Sequence, residues 1–427
     1  MDRDVEASAA LITAPQRGRG RAKQERLSQV RILMYSHDTF GLGHLRRCRT
    51  IAHALVDNFK GVHVLIISGS QIAGAFEFKA RVDFVKVPSV IKLYNGEYTS
   101  ISQHIDIHET LEWRKQIIQS TAASFDPDIA IIDKEPLGLR GELLPTLDML
   151  KRRGCRLVVG LRDVMDDVES LAAEWASRDV LRKMDALYDD VWIYGPEGFW
   201  NPLEGMDLPA GFLSRFAYTG FLRRDAAPRK VSGIEELPSD YVLVTAGGGG
   251  DGAPLMRAVL AAKMEGGQPP NPLVFVLGPF MGAEDREHFH RAAAELPGVH
   301  VIDFHNRLEA LLEGASAVVS MAGYNTFCEI LSLNKRALLV PRVAPRREQL
   351  IRASRAAELG LIDMLLPEDA AQPALMAERL RRLIERPLPM SVGADAMLSG
   401  LERIRDLVKS YFDSANRREV FLPPAAE

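Results

Sequence analysis

The stretch SAVVSMAGYNTFCEILSLNKRALLVP, residues 316–341, is the clearest indication of the fold class. It opens with a short apolar run that ends before Gly323, and it closes with a second apolar run that ends at Pro341. Between them, apolar residues recur at three- and four-residue spacing, which is typical of a helix, whereas the short runs are typical of buried strands. Strand, helix and strand in this order predict a βαβ unit in a parallel sheet.

The same alternation of strand and helix patterns fills two separate parts of the chain. It runs from VRILMYS at residues 30–36 to DDVWIYG at residues 189–195, and it restarts at YVLVTAGGGGDG, residues 241–252. The charged, proline-containing segment between them predicts an interdomain linker. We therefore predict an α/β protein with two doubly wound, Rossmann-like domains. The predicted divisions are a disordered basic arm at residues 1–28, an N-terminal domain at 29–222, a linker at 223–240, a C-terminal domain at 241–395, and a helix and tail at 396–427.

Composition narrows the class of protein. The chain has 427 residues, of which 47% are hydrophobic and 26% charged, as expected for a globular protein of two domains. The formal net charge is −4, whereas nucleic-acid-binding proteins usually carry an excess of positive charge. We therefore do not expect nucleic acid as a partner. The cysteines are few and scattered, which favours free thiols in a reducing compartment. We expect a cytoplasmic protein, and peripheral membrane contact through the basic arm remains an alternative.

Doubly wound sheets bind ligands beyond the carboxyl ends of their strands, so the residues there are the candidates for a site. In the second half, a run of four glycines at residues 247–250 follows one strand and lets backbone approach a ligand. After another strand, Asn325 and Thr326 begin a helix whose unpaired N–H groups suit an anion such as a diphosphate. Glu329 lies one helical turn further on, where a carboxylate could hold a ribose diol or serve as an acid near the start of the helix.

Two further groups of polar residues follow strands. Glu348 and Gln349 come after the strand that ends at Pro341, and they could hydrogen-bond sugar hydroxyls. In the first half, His44 closes the loop HDTFGLGH at residues 37–44 and opens a helix, where a neutral imidazole could take a proton from an attacking hydroxyl. His37 and Asp38 are rival bases on the same loop. Further candidates on this side, for each of which a structural hydrogen bond is the alternative, are Gly43, Asp133, Glu135, Arg162 and Asp163.

The second half resembles the donor-site signature of GT-B glycosyltransferases. The pattern G-[YW]-N-[ST]-x-x-E, an apolar strand ending in proline and a [DE]-Q pair are matched by Gly323 to Glu329, Pro341, Glu348 and Gln349. This is similar to the C-terminal domain of glycosyltransferase family 28, which includes the N-acetylglucosaminyltransferase of peptidoglycan synthesis. The loop that ends in Gly43 and His44 is similar to the glycine-rich loop of the same family.

The resemblance implies a GT-B fold and roles for particular residues. Glu329 would hold the ribose, and Glu348 and Gln349 would meet the donor sugar. The turn at residues 304–308, which contains His305, would pack on the base. The residues that would approach the diphosphate are Gly247, Gly248, Gly249, Met321, Ala322 and Gly323. Met321 replaces a histidine that contacts phosphate in plant-type members, which leaves backbone amides or arginine to neutralise the phosphates.

By this resemblance we expect an inverting hexosyltransferase that takes a nucleoside diphosphate sugar, with UDP as the expected nucleotide. The acceptor would be a glycan, lipid or small molecule, in bacterial envelope or polysaccharide synthesis. No cofactor or metal site is predicted, because helix N-termini and arginines can supply positive charge. A hydrolase or epimerase of nucleotide sugars, and a non-catalytic nucleotide-sugar-binding protein, remain alternatives.

Overall fold

The fold was examined in a computed structural model, which describes residues 30–37, 43–92, 98–100, 105–225, 237–248, 250–265, 271–305 and 307–420. Several predictions concern residues outside these ranges: the basic arm, Asp38, Gly249 and most of the linker. Within the described ranges, no helix is long and apolar enough to cross a membrane.

The first domain is built on seven parallel strands. Their order across the sheet is β3-β2-β1-β6-β7-β8-β9, and an antiparallel pair, β4 and β5, stands apart from it. The strands are β1 Val30–Ser36, β2 Val62–Ser68, β3 Val82–Lys86, β4 Val90–Lys92, β5 Tyr98–Ser100, β6 Ile129–Asp133, β7 Arg156–Arg162, β8 Asp190–Tyr194 and β9 Phe216–Tyr218. The helices are α1 Gly43–Asn58, α2 Ile107–Phe125, α3 Leu144–Arg152, α4 Val168–Ser177 and α5 Val180–Leu187.

The second domain has a six-stranded parallel sheet in the order β12-β11-β10-β13-β14-β15. Its strands are β10 Val242–Thr245, β11 Leu273–Val276, β12 Val299–Ile302, β13 Ala317–Ser320, β14 Arg336–Leu339 and β15 Asp363–Met364. Its helices are α6 Ala253–Met264, α7 Ala283–Glu295, α8 Leu308–Gly314, α9 Tyr324–Ser332, α10 Glu348–Glu358, α11 Pro367–Ala370, α12 Pro373–Leu383 and α13 Gly400–Val420. The predicted α/β class with two doubly wound sheets is confirmed.

Local sequence accounts for these elements. The central strands are short apolar runs buried along their length, as strands covered by helices on both faces must be. In α1, residues at three- and four-residue spacing, including Leu45, Cys48 and Leu55, form the buried face. Asp106 and Asp167 cap α2 and α4, since each carboxylate accepts a hydrogen bond from a backbone N–H in the first turn.

The two domains share an apolar junction. Phe221, in the segment that leaves the first domain, stacks edge-on against Phe199 and Phe327 with ring centroids 5.0 and 5.2 Å apart. The C-terminal helix α13 returns to the first domain and packs on α1, whereas α12 packs on α6 of the second domain. The backbone of Phe221 also exchanges hydrogen bonds with Met397 and Gly400. These contacts hold the carboxyl ends of both sheets toward a common space.

Candidate functional site

A cavity of about 260 Å³ lies between the domains, at the point where the strand order of each sheet reverses. The first domain contributes the start of α1 and the end of β7, and the second contributes the loops that follow β10, β13 and β14. This is where open parallel sheets bind ligands. The predicted site residues that line it are Gly43, His44, Arg162, Gly247, Gly248, His305, Met321, Gly323, Asn325, Thr326, Glu348 and Gln349.

The N-terminus of α9 forms one wall of the cavity. Gly323 is its N-cap, and no side chain caps the helix, so its first N–H groups face the cavity without a side-chain acceptor. The glycine loop after β10 lies alongside. The loop after β11, which contains Gly278, packs closely against this glycine loop. A Cβ on Gly278 would come within 2.7 Å of the Gly247 carbonyl oxygen. A helix N-terminus beside exposed loop backbone is a physical arrangement that favours an anion.

Asn325 joins the domains at this wall. Its Nδ2 donates to the Gly43 carbonyl oxygen at 2.9 Å, and its Oδ1 accepts from Arg224 Nη2 at 2.7 Å. Both ends of the amide are therefore occupied by protein partners. The domain contact therefore uses the Asn325 side chain. Asn325 and Thr326 both line the cavity, and anion binding by the backbone N–H groups at this helix start stays a prediction.

Glu329 lies behind this wall and does not line the cavity. It is fully buried, and its Oε1 accepts a 2.5 Å hydrogen bond from Arg46 Nη2, which also contacts Glu309 Oε1 at 2.9 Å. Its Oε2 has no hydrogen-bond partner. Burial raises the pKa of Glu329 to about 7, although Arg46 opposes the shift. The predicted ribose contact would therefore require Arg46 to move, and it stays a prediction.

Glu348 and Gln349 begin α10 and line the cavity, while their contact with a donor sugar stays a prediction. Arg342 Nη2 donates to Glu348 Oε1 at 2.6 Å, and the Arg342 backbone N–H donates to Gln349 Oε1 at 3.1 Å. Glu348 Oε2 remains without a partner. Arg342 thus fixes both side chains, and the unpartnered Oε2 of Glu348 is itself buried.

On the first-domain wall, His44 and Asp133 form a hydrogen-bonded pair. His44 Nδ1 lies 2.6 Å from Asp133 Oδ2, and Arg47 binds both oxygens of the same carboxylate. Burial raises the pKa of Asp133, but Arg47 and His44 outweigh it and lower the pKa to about 2. An ionised carboxylate only accepts hydrogen bonds, so Nδ1 carries the proton and Nε2 has the basic lone pair.

The rival candidates on this wall have other roles. His37 is buried away from the cavity, where burial lowers its pKa to about 3 and keeps it neutral. Asp163 is also a structural group, contrary to the acceptor-side expectation, because it forms a fully buried ion pair with Arg352 at 2.5 Å. Glu135 pairs with Lys134 at 3.2 Å and does not line the cavity, so its acceptor-side role stays a prediction.

Arg46 and Arg47 are the functional-site residues that the sequence reasoning missed. Both follow His44 in the first turn of α1. Cations near a helix N-terminus are repelled by the positive end of the helix dipole, so two successive arginines at this place are locally unfavourable. Such a conflict is itself a signal that tertiary contacts use the residues, and here those contacts are Glu329, Glu309 and Asp133.

Residues 242–408 match the family profile described as "Glycosyltransferase family 28 C-terminal domain". No curated protein matches the sequence. Among solved structures, MurG of Acinetobacter baumannii is 15% identical with a TM-score of 0.55, covering 90% of this chain and 99% of its own. The glycosyltransferase VinC in complex with DTDP is 17% identical with a TM-score of 0.59, covering 91% and 100%.

A UDP-N-acetylglucosamine 2-epimerase is 13% identical with a TM-score of 0.57, covering 93% of this chain and 99% of its own. At such identities the similarity shows the architecture, a GT-B arrangement of two Rossmann-like domains. The predicted resemblance to family 28 and the predicted GT-B fold are both confirmed.

Proposed function

Since the second domain is a glycosyltransferase family 28 C-terminal domain within a GT-B fold, we propose that this protein is a glycosyltransferase that moves a hexose from a nucleoside diphosphate sugar to an acceptor. The second domain takes the donor, and the first domain takes the acceptor. The observation that carries the proposal is the cavity in which the open N-terminus of α9 faces the His44–Asp133 pair.

The chemistry assigned to this cavity is a direct displacement with inversion at the anomeric carbon. His44 Nε2 takes the proton of the acceptor hydroxyl as its oxygen bonds to the anomeric carbon. The bond from that carbon to the diphosphate oxygen breaks, and the nucleoside diphosphate leaves with the electron pair. Asp133 holds the imidazole in the tautomer that has a basic Nε2 and stabilises the imidazolium that forms.

The leaving diphosphate requires positive charge, which we assign to the N-terminus of α9 and to cleft arginines rather than to a metal ion. Glu348 and Gln349 orient the donor sugar from the second-domain wall. Glu329 holds the ribose once Arg46 has moved away from it. A cavity of about 260 Å³ is smaller than typical ligand pockets, which fits a protein whose domains separate to admit the donor.

The test of donor binding is calorimetric titration of UDP, GDP and TDP into wild type and Glu329→Ala. We expect one nucleotide to bind in the micromolar range and the variant to bind it about tenfold more weakly, a difference of about 1.4 kcal/mol. Glu287→Ala is the matched control, because Glu287 is an exposed acid of α7 whose ion-pair partner within the described part of the chain is Arg291, one turn further along the same helix. If no nucleotide binds wild type, the proposal fails.

Product analysis then identifies the reaction. Incubation of the bound nucleotide's hexose derivatives with a panel of glycan, lipid and small-molecule acceptors should give a glycosylated product. Free sugar without any acceptor would indicate a hydrolase, and an isomeric nucleotide sugar would indicate an epimerase. Tight donor binding with no product in any reaction would favour a nucleotide-sugar-binding protein.

A further inference from the structure

Arg162, the last residue of β7, is the unpaired cation of the cavity. Its Nε is buried and has no hydrogen-bond partner, and no described residue forms an ion pair with its guanidinium. The other arginines that line the cavity within the described residues, Arg46, Arg47 and Arg342, each bind at least one carboxylate.

The guanidinium of Arg162 keeps its positive charge although it is partly buried. Burial lowers the pKa of Arg162 to about 10, helped by the neighbouring Arg352 and Arg47 and opposed by Glu348, so the group stays cationic at neutral pH. A half-buried guanidinium without a partner costs stability. Such a cost is expected where a bound ligand supplies the missing partner.

The surroundings of Arg162 place it between the two walls. The next residue, Asp163, binds Arg352, and Arg352 Nη1 donates at 2.8 Å to the Ala322 carbonyl oxygen, directly before the N-cap of α9. This connection fixes the end of β7 near the proposed diphosphate position. Glu348, which we assign to the donor sugar, also lines the cavity and acts electrostatically on Arg162.

We infer that Arg162 binds an anionic group, a phosphate or a carboxylate, of a substrate bound in this cavity. The inference rests on the proposed function and adds a substrate requirement to it. The group comes either from the donor, as its outer phosphate, or from an acceptor or sugar that carries an acid. A guanidinium suits both chemistries, because its fork of N–H groups matches two oxygens of either anion.

The first arm of the test separates the donor phosphates. Wild type, Arg162→Met and Arg162→Lys are titrated with whichever of UDP, GDP or TDP binds wild type, and with the matching monophosphate. If Arg162 binds the outer phosphate, Arg162→Met weakens the diphosphate about tenfold or more and the monophosphate far less, with Arg162→Lys intermediate. Arg178→Met is the charge-matched control, because Arg178 pairs with Glu174 and Glu135, and none of the three lines the cavity.

The second arm tests an acid on the other substrate. Inorganic phosphate and malonate are added to the nucleotide-saturated protein, and the rise in Tm is measured. If the group belongs to an acceptor or sugar, these anions stabilise wild type and Arg178→Met but not Arg162→Met. An Arg162→Met protein that binds the nucleotide and responds to both anions as wild type does would overturn the inference, even if the donor site itself is real.

Thermal stability distinguishes a binding role from a structural one. Removing an unpaired buried charge should leave the Tm of Arg162→Met unchanged or raise it. A marked fall in Tm, with unaltered affinity for nucleotide and anions, would assign Arg162 to the fold and contradict the inference. If wild type binds no nucleotide, the proposed function fails, and the anion arm, run without nucleotide, still tests Arg162.

Discussion

Arg46 of α1 donates a 2.5 Å hydrogen bond to Glu329 of α9, and this pair ties one wall of the cavity to the other. Arg46 is held at the same time by Glu309, so one guanidinium serves two acids of the opposite domain. The carboxylate that the family resemblance assigns to the ribose is therefore part of the domain contact. Under the proposed function, Arg46 must release Glu329 for the ribose to bind, which would link donor binding to separation of the domains.

The energy of this link is measurable. Arg46→Met leaves Glu329 buried without its cation, and we expect it to lower the free energy of unfolding by about 3 kcal/mol. Adding Glu329→Gln should recover part of that loss, with a coupling energy of at least about 1 kcal/mol in a double-mutant cycle followed by denaturant unfolding. Strictly additive effects would show that the contact contributes nothing.

Glu329 should also impose a pH dependence on stability. Its pKa is about 7 in the folded protein against an ordinary value of 4.5, so the folded state binds the proton more tightly than the unfolded state. Stability from this group is therefore lost as pH rises from about 4.5 to about 7. Glu329→Gln stays neutral, so its Tm relative to wild type should increase across that range and then level off. A constant difference between the two proteins would contradict the raised pKa.

Asp133→Asn tests how His44 is positioned. An amide can hydrogen-bond Nδ1 as an acceptor or as a donor, so it no longer fixes the basic lone pair on Nε2, and it no longer balances Arg47. We expect the turnover rate to fall about 10²- to 10⁴-fold, while the dissociation constant of the nucleotide changes less than about twofold. Assays should run well below the variant's lowered Tm. Unchanged turnover would remove His44 from the proposed mechanism.

Arg352 gives a contrasting prediction, because we assign it to the fold. Its ion pair with Asp163 is completely buried, and its Nη1 also binds the Ala322 carbonyl oxygen. Arg352→Met would strand the Asp163 carboxylate and should destabilise the protein by about 3 to 5 kcal/mol in denaturant unfolding. Arg355→Met, which removes a partly exposed cation from the same helix, should cost far less. Equal losses of unfolding free energy in the two variants would show that the buried ion pair stabilises the protein no more than the exposed one.

Metal removal tests the assignment of positive charge. In the proposed mechanism, α9 and the arginines of the cleft stabilise the negative charge of the departing diphosphate. Dialysis against EDTA should therefore change the transfer rate by less than about twofold. Added Mg²⁺ should likewise have little effect. A loss of activity on chelation that Mg²⁺ or Mn²⁺ restores would require a metal-dependent step.

The strand and helix pattern was readable because it depends on local chemistry. The apolar runs at residues 30–36 and 242–245, and the three- and four-residue spacing in α1 and α9, follow from which faces must be buried. The same pattern placed His44, Gly323 and Glu348 at strand ends, and all three line the cavity. Strand-end position was therefore a sound guide to the region of the site.

Position at a strand end did not predict the interactions that each charged side chain makes. Asp163 follows a strand, as Glu348 does, yet it is buried in an ion pair with a residue 189 positions away. Glu329 is paired with Arg46, 283 positions away, and Arg162 has no partner at all among the described residues. No local feature of the sequence distinguishes these three situations.

Sequence patterns predicted two doubly wound domains, the sheet edges at which the cavity lies, and the similarity of residues 242–408 to the family 28 profile. Those properties rest on periodicity and on short motifs, which act over a few neighbouring residues. Tertiary structure alone decided which charges are paired, because an ion pair depends on distances of a few ångströms between distant segments. The relative placement of the two domains sets those distances, and it therefore buries Glu329 and leaves Arg162 on the cavity wall without an ion-pair partner among the described residues.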